Sequence, residues 1–329
     1  MIKNSSWQYR ITRVKAGEVY QRRDQMDSNV ILKKQEVKSS IFVIIFLVIL
    51  VSIIPEILFS EMTGSIPGWL HYGRLAALAL IAISLQLVLP LKHLTKFVML
   101  LIAKSFGHIL VNLVAGIEAW TDAFPTHTFL GSFGGDIILK IIQVIPVTLA
   151  LLVLFKGPAE AYLIKGDLTV KAEEIKWLSI RQDRFSWGRL AVISGLLICL
   201  GTILLTVITV TGASVKPDFS LLPVLFPLIL VLALFNSLCE GIVYRSTVLS
   251  SLKNILPKNQ LMLLAAAFFG IAHYYGAPGG IIGVVMSGLL GWYMCRSMFE
   301  TRGFASSWII HFMQDVVIFS TILVLGNFS

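Results

Sequence analysis

Residues 221–252 read LLPVLFPLILVLALFNSLCEGIVYRSTVLSSL. From Leu221 to Leu238 almost every residue is one that a lipid core accepts. The run then meets Glu240, with Arg245 five positions further on. A charged side chain at bilayer depth costs on the order of 2.5–3.5 kcal/mol by insertion scales. A chain that keeps one there has a use for it, so the stretch reads both as a membrane span and as the carrier of a working group. Two hydrophobic segments downstream hold polar residues in similar surroundings: His273 in FFGIAHYYG, and His311 with Asp315 in WIIHFMQDVVIF.

The rest of the chain has the same character. Its 329 residues are 56% hydrophobic and 14% charged, with a mean hydropathy of +0.83. Soluble domains carry about 25% charged residues, so the composition is that of a polytopic membrane protein. Apolar runs of about 20 residues place spans near 41–59, 75–91, 95–116, 137–155, 190–210, 221–252, 260–275, 279–297 and 304–326. The predicted class is all-α, a transmembrane helical bundle of 8–9 spans. The sixth span is long and has to tilt or protrude. The run from Ile41 is too long for a signal-peptide core and lacks a small-residue cleavage site, so it reads as a retained first span.

Lys and Arg number 27 against 18 Asp and Glu. Their placement argues against nucleic acid as the partner, because they concentrate in the segments that set topology. With the amino terminus inside, 23 of the 27 lie on inside segments, and the 117–136 loop has none. Four regions follow. Residues 1–40 form a basic cytoplasmic tail, 41–155 a four-span membrane region, 156–189 a cytoplasmic connector, and 190–329 a second membrane region holding the polar residues above. In the connector, LIKGDLTV reads as a turn between short extended segments, and Trp177 and Trp187 suit an interface belt.

Cys199, Cys239 and Cys295 have no paired spacing and read as buried structural thiols. Lys104, His108 and Asn112 fall on one helical face, with Lys140 and Gln143 in the next span; the set either pairs across a helix interface or lines a polar substrate path, and interhelical packing is the expectation. Glu56 and Glu61 lie near the outer boundary and are expected to snorkel.

Groups on different spans cooperate only at similar depth. Measured from the turn at 252–260, Glu240 lies roughly 18 Å along its helix, His273 roughly 20 Å and His311 about 15 Å, at 1.5 Å per residue. Asp315 is one turn beyond His311 on the same face. The sequence here resembles the CPBP family of intramembrane proteases, also called the Abi or type II CAAX prenyl endopeptidase family. Its signatures EExxxR, FxxxH and HxxxN or HxxxD are matched by Glu240 to Arg245, Phe269 to His273 and His311 to Asp315, over roughly residues 220–320. Gly241 stands where the family has its second Glu.

The resemblance implies an intramembrane endopeptidase with a CPBP-type core in the C-terminal half, 190–329. Glu240 is then the base that activates water, His273 shares that water or passes its proton to the leaving amine, and His311 donates to the oxyanion. Asp315 is protonated, orients His311, or binds metal. Arg245 holds the helix end, nearby carbonyls or a lipid phosphate, and Phe269 walls the site. Glu240, His273, His311 and Asp315 are also acceptable zinc ligands, and the family has been described both with and without a metal. No HExxH is present, which favours the metal-free scheme but leaves zinc open. The implied partners are the lipid bilayer and a membrane-associated peptide or protein substrate, in a multi-pass protein of a bacterial plasma membrane. Gly241 keeps a second class open: a catalytically impaired scaffold or regulator that binds partner membrane proteins. A transporter is disfavoured, because no inverted repeat is evident.

Overall fold

The computed structural model describes residues 40–211, 216–276, 278–326 and 328; the basic tail read from residues 1–39 lies outside them. Among the described residues there is no strand, only two isolated bridges in the connector. The fold is a polytopic helical bundle, because backbone surrounded by lipid must satisfy its hydrogen bonds within each segment.

The first span is broken. Helices α1 (Ser40–Val51) and α2 (Ile54–Thr63) meet at 56°, where Pro55 in the first turn of α2 removes an amide donor. Then come α3 (Leu70–Leu87), α4 (Thr95–Ala115), the short α5 (Glu118–Ala123) and α6 (Gly135–Leu154). After the connector, α7 (Trp187–Thr211) leads to α8 (Leu222–Glu240). That helix continues through a π-helical turn, Gly241–Ser246, into α9 (Thr247–Leu252). The chain closes with α10 (Lys258–Ile271), α11 (Gly280–Thr301) and α12 (Ala305–Leu325). Among the described residues, seven helical stretches are long and apolar enough to cross a membrane, or eight if the bent α1–α2 pair is one span.

The segment expected to span at 260–275 differs. Helix α10 has 14 residues, about 21 Å of rise against about 30 Å of hydrocarbon. The breaker-rich GAPGG at 276–280 follows it closely. His273 consequently sits in a turn beyond the end of α10 rather than on a helix wall.

Helix α4 packs on α3 and α6, α6 on α8, α10 on α11, and α12 on α7, α8 and α11. A Cβ at Gly107 would lie 2.3 Å from the Gln143 carbonyl oxygen, so α4 and α6 approach this closely only with glycine there. The continuous α8–α9 stretch is 31 residues long. Its last turn is wholly buried against α4, α6 and α10, so the excess length enters the protein instead of protruding. The buried Ser250 and Ser251 hydroxyls bond back to the carbonyls of Ser246 and Thr247, which removes the cost of burying them.

Two expectations are corrected by what the broken first span and the connector require. Glu56 does not snorkel: it is buried, and Arg74 Nη2 donates to both carboxylate oxygens at 2.8 Å. The break leaves the carbonyls of Val51 and Ser52 without helical donors, and Lys104 (3.1 Å) and Arg74 (3.2 Å) supply them. His108 meets the His71 ring at 4.4 Å and Gln143 at 3.3 Å, so this polar line does pair across helices. Trp187 is fully buried and not in an interface belt; its Nε1 donates to Glu300 at 2.7 Å. Glu300 also accepts from Lys258 (2.9 Å) and Arg296 (2.8 Å), and this cluster ties the connector to α10 and α11. Trp177 remains exposed beside Trp292.

Candidate active site

Glu240 is the last residue of α8, and Arg245 lies in the π-helical turn that follows. Five α-helical steps of about 100° would set Arg245 about 140° round the axis from Glu240. The wider i→i+5 turn closes that angle, and both side chains face α12. This is the local reason for a Glu and an Arg five apart.

The polar groups converge. His273 Nε2 lies 3.8 Å and His311 Nε2 3.5 Å from Glu240 Oε2, and His311 Nε2 is 3.6 Å from Asp315 Oδ1. Glu240 Oε2 is buried and has no hydrogen-bond partner among the described residues. The groups behind the two rings set the tautomer that each imidazole takes in its neutral form. His273 Nδ1 is 2.8 Å from the Phe269 carbonyl; a carbonyl only accepts, so Nδ1 carries the hydrogen and Nε2 offers a lone pair. His311 Nδ1 is 3.1 Å from Arg245 Nη2; a guanidinium only donates, so Nδ1 accepts and Nε2 carries the hydrogen. Two acceptors, Glu240 Oε2 and His273 Nε2, therefore face one donor, His311 Nε2–H.

Arg245 is fully buried beneath the Phe269 ring. It does not reach toward lipid phosphate, as the sequence reading allowed; the π-helical turn directs it inward to His311. Phe269 also lies edge-on to His311, with ring centroids 5.6 Å apart, and against His273 at 4.5 Å, which makes it a wall of the site.

Two further residues belong to the constellation: Asn236, which was not singled out from the sequence, and Lys140, which was expected to pair between helices but not with Glu240. Lys140, on α6, donates to Glu240 Oε1 at 2.7 Å and to Asn236 Oδ1. Asn236, one turn before Glu240, donates from Nδ2 to Asp315 Oδ2 at 3.0 Å. The signals were present: Asn236 and Glu240 share a helical face, and a cation buried in a span needs an anion. Lys140, Asn236, Asp315 and His311 thus form a ring around Glu240, with Arg245 bracing His311.

A cavity of about 810 Å³ opens onto this ring, bounded by α7, α11, α12 and connector residues 177–185. Leu190, Leu197, Met286 and Leu290 give it an apolar lining, and His273, His311 and Asp315 stand at its polar end. Its form is that of a ligand site: mostly apolar, with a few convergent polar groups.

Gly241 is tightly enclosed. A Cβ there would lie 2.3 Å from Phe304 Cζ and 2.9 Å from Arg245 Nη2. The ring of Phe304 fills the space into which a second carboxylate would project.

Residues 222–317 match the family described as Type II CAAX prenyl endopeptidase Rce1-like. No curated protein and no solved structure matches the chain. The Rce1-like stretch runs from the start of α8 into α12 and contains Asn236, Glu240, Arg245, Phe269, His273, His311 and Asp315; Lys140 lies outside it.

By residue type, Glu240, His273, His311 and Asp315 are a donor set that zinc accepts. Among the described residues no group of three or more His, Cys, Asp or Glu side chains is placed to hold a metal ion. Lys140 already occupies one oxygen of Glu240, and Arg245 occupies one ring nitrogen of His311.

Proposed function

We propose that this integral membrane protein is an intramembrane endopeptidase that hydrolyses a peptide bond of a membrane-associated peptide or protein. The observation that carries the reading is the unpartnered Glu240 Oε2 with His273 Nε2 and His311 Nε2 both turned toward it. A water placed between them donates one hydrogen to Glu240 Oε2 and the other to His273 Nε2, leaving an oxygen lone pair free to attack. As its oxygen bonds to the carbonyl carbon, Glu240 takes the proton, and the carbonyl electrons move to oxygen. His311 Nε2–H, held in that tautomer by Arg245, donates to the developing oxyanion. On collapse the C–N bond breaks, and the amine leaves with the proton returned from Glu240 through His273. Lys140 fixes Glu240 by its other oxygen, and Asn236 holds Asp315 beside His311.

The decisive experiment compares wild type with Glu240→Gln and His311→Ala in membranes of a deletion strain, reading small membrane peptides by mass spectrometry. The expected result is a fragment lost in both variants at unchanged protein level. An unchanged peptide profile would overturn the assignment. It would favour the second reading, which rests on the filled space beside Gly241: a fold that keeps this architecture to bind partner membrane proteins without cleaving them.

A further inference from the structure

Glu240 is approached from two sides. The apolar cavity ends at His273, His311 and Asp315, and neither Glu240 nor Lys140 lines it. Behind Glu240 stands α6. Lys140 holds Glu240 while 39% of its own side chain remains exposed. Its ammonium has three donors, of which two go to Glu240 and Asn236. One turn nearer the start of α6, Asp136 is exposed as well. The two are four residues apart on one face, opposite in charge but not in direct contact.

Charged groups against acyl chains cost on the order of 2.5–3.5 kcal/mol each, and in membrane proteins they face protein or water-filled cavities. The other exposed residues of α6, among them Ile138, Ile145 and Leu149, are aliphatic. The helix therefore has a lipid-type face and one polar edge. Counted from Leu130, where this apolar stretch begins, Asp136 lies roughly 9 Å and Lys140 roughly 15 Å along it. The polar edge thus descends from the end of the bundle opposite the connector to the carboxylate itself.

We infer that Asp136 and Lys140 line a water entrance to Glu240, separate from the apolar cavity that receives the substrate. This rests on the reading of Glu240 as the base. Hydrolysis consumes one water for each bond broken, and an apolar cavity filled by substrate excludes water. A second approach on the far side of Glu240 supplies that water and exchanges protons with the aqueous phase. It also gives the front half of the chain a part in the reaction, because α6 provides this edge from outside the Rce1-like stretch.

The test does not depend on proteolysis. In the full chain with Cys199→Ser, Cys239→Ala and Cys295→Ala, single cysteines are introduced by Asp136→Cys and, on the aliphatic face, by Ile138→Cys. The proteins are reconstituted in liposomes and treated with a membrane-impermeant cationic methanethiosulfonate, with modification followed by mass. A lipid-soluble maleimide verifies that each thiol is present. The expected result is at least tenfold faster modification with Asp136→Cys than with Ile138→Cys. Equal or slower modification would overturn the entrance. If Asp136→Cys does not fold, Lys140→Cys is labelled in its place with aminoethyl methanethiosulfonate, which rebuilds a lysine-length ammonium. Labelling there supports the entrance; a thiol that stays unmodified refutes it. Unchanged cleavage in Glu240→Gln would remove the protease reading while leaving the labelling result standing, so the two failures are distinct.

Discussion

Replacing Gly241 with alanine adds one methyl group where Phe304 leaves no room. The new Cβ would lie 2.3 Å from Phe304 Cζ and 2.8 Å from Cε2. Phe304 is buried in the main core cluster, so its ring has little space into which to withdraw. Overpacking of this kind costs about 1–3 kcal/mol, whereas alanine gains about 1 kcal/mol over glycine within a helix. With so deep an overlap the steric cost lies at the upper end, leaving Gly241→Ala destabilised by about 2 kcal/mol. At roughly 2–4 °C per kcal/mol, Tm falls by about 4–8 °C. Thermal unfolding in detergent can be followed with a thiol-reactive fluorophore, because Cys239 and Cys295 are free and buried and become reactive on unfolding. In a Phe304→Ala background the main obstacle is gone and only the tip of Arg245, at 2.9 Å, has to yield; the same substitution is expected to raise Tm by up to about 2–4 °C. The sign reversal is the test. An equal loss in both backgrounds, or stabilisation of the wild type, would refute Phe304 as the reason for a glycine at 241.

Glu56→Gln or Arg74→Ala leaves an uncompensated charge or donor in the bundle and is expected to cost about 3–5 kcal/mol; a double variant that loses as much as the two single losses together would argue against their direct coupling. Arg245→Ala frees His311 to adopt the other tautomer, with a loss of cleavage of roughly 100-fold or more at unchanged KM; a fall in binding alone would count against the tautomer argument. Trp187→Phe removes one of the donors to Glu300 and is expected to cost about 1.5–3 kcal/mol, read as an earlier unfolding midpoint in the thiol assay. Positive charge beside Glu240 comes from Lys140, so a chelator is expected to leave cleavage unchanged. A rate that collapses with chelator and returns with zinc would overturn the metal-free scheme.

The sequence by itself determined the class of the molecule and the composition of its polar centre. Lipid leaves a backbone no alternative to helices, so hydropathy locates most of the spans directly. Rise per residue then put Glu240, His273 and His311 at one depth, and the structure brings their side chains within 4 Å of a common carboxylate oxygen. The shortness of α10 was less legible, because the apolar run continues past Ile271 and the chain breaks only at GAPGG. Beyond the pairing of His108 with Gln143, partners across the bundle were not legible. Lys140 meets Glu240 from 100 residues away, Arg245 turns inward to His311, and Glu56 finds Arg74 beneath a broken helix. Each pairing depends on the rotation of a helix about its own axis and on how closely it approaches the next. Those are decided by contacts such as Gly107 against Gln143 and Gly241 against Phe304. Hydropathy along one chain records depth in the membrane, whereas the azimuth of a side chain exists only once the helices have packed.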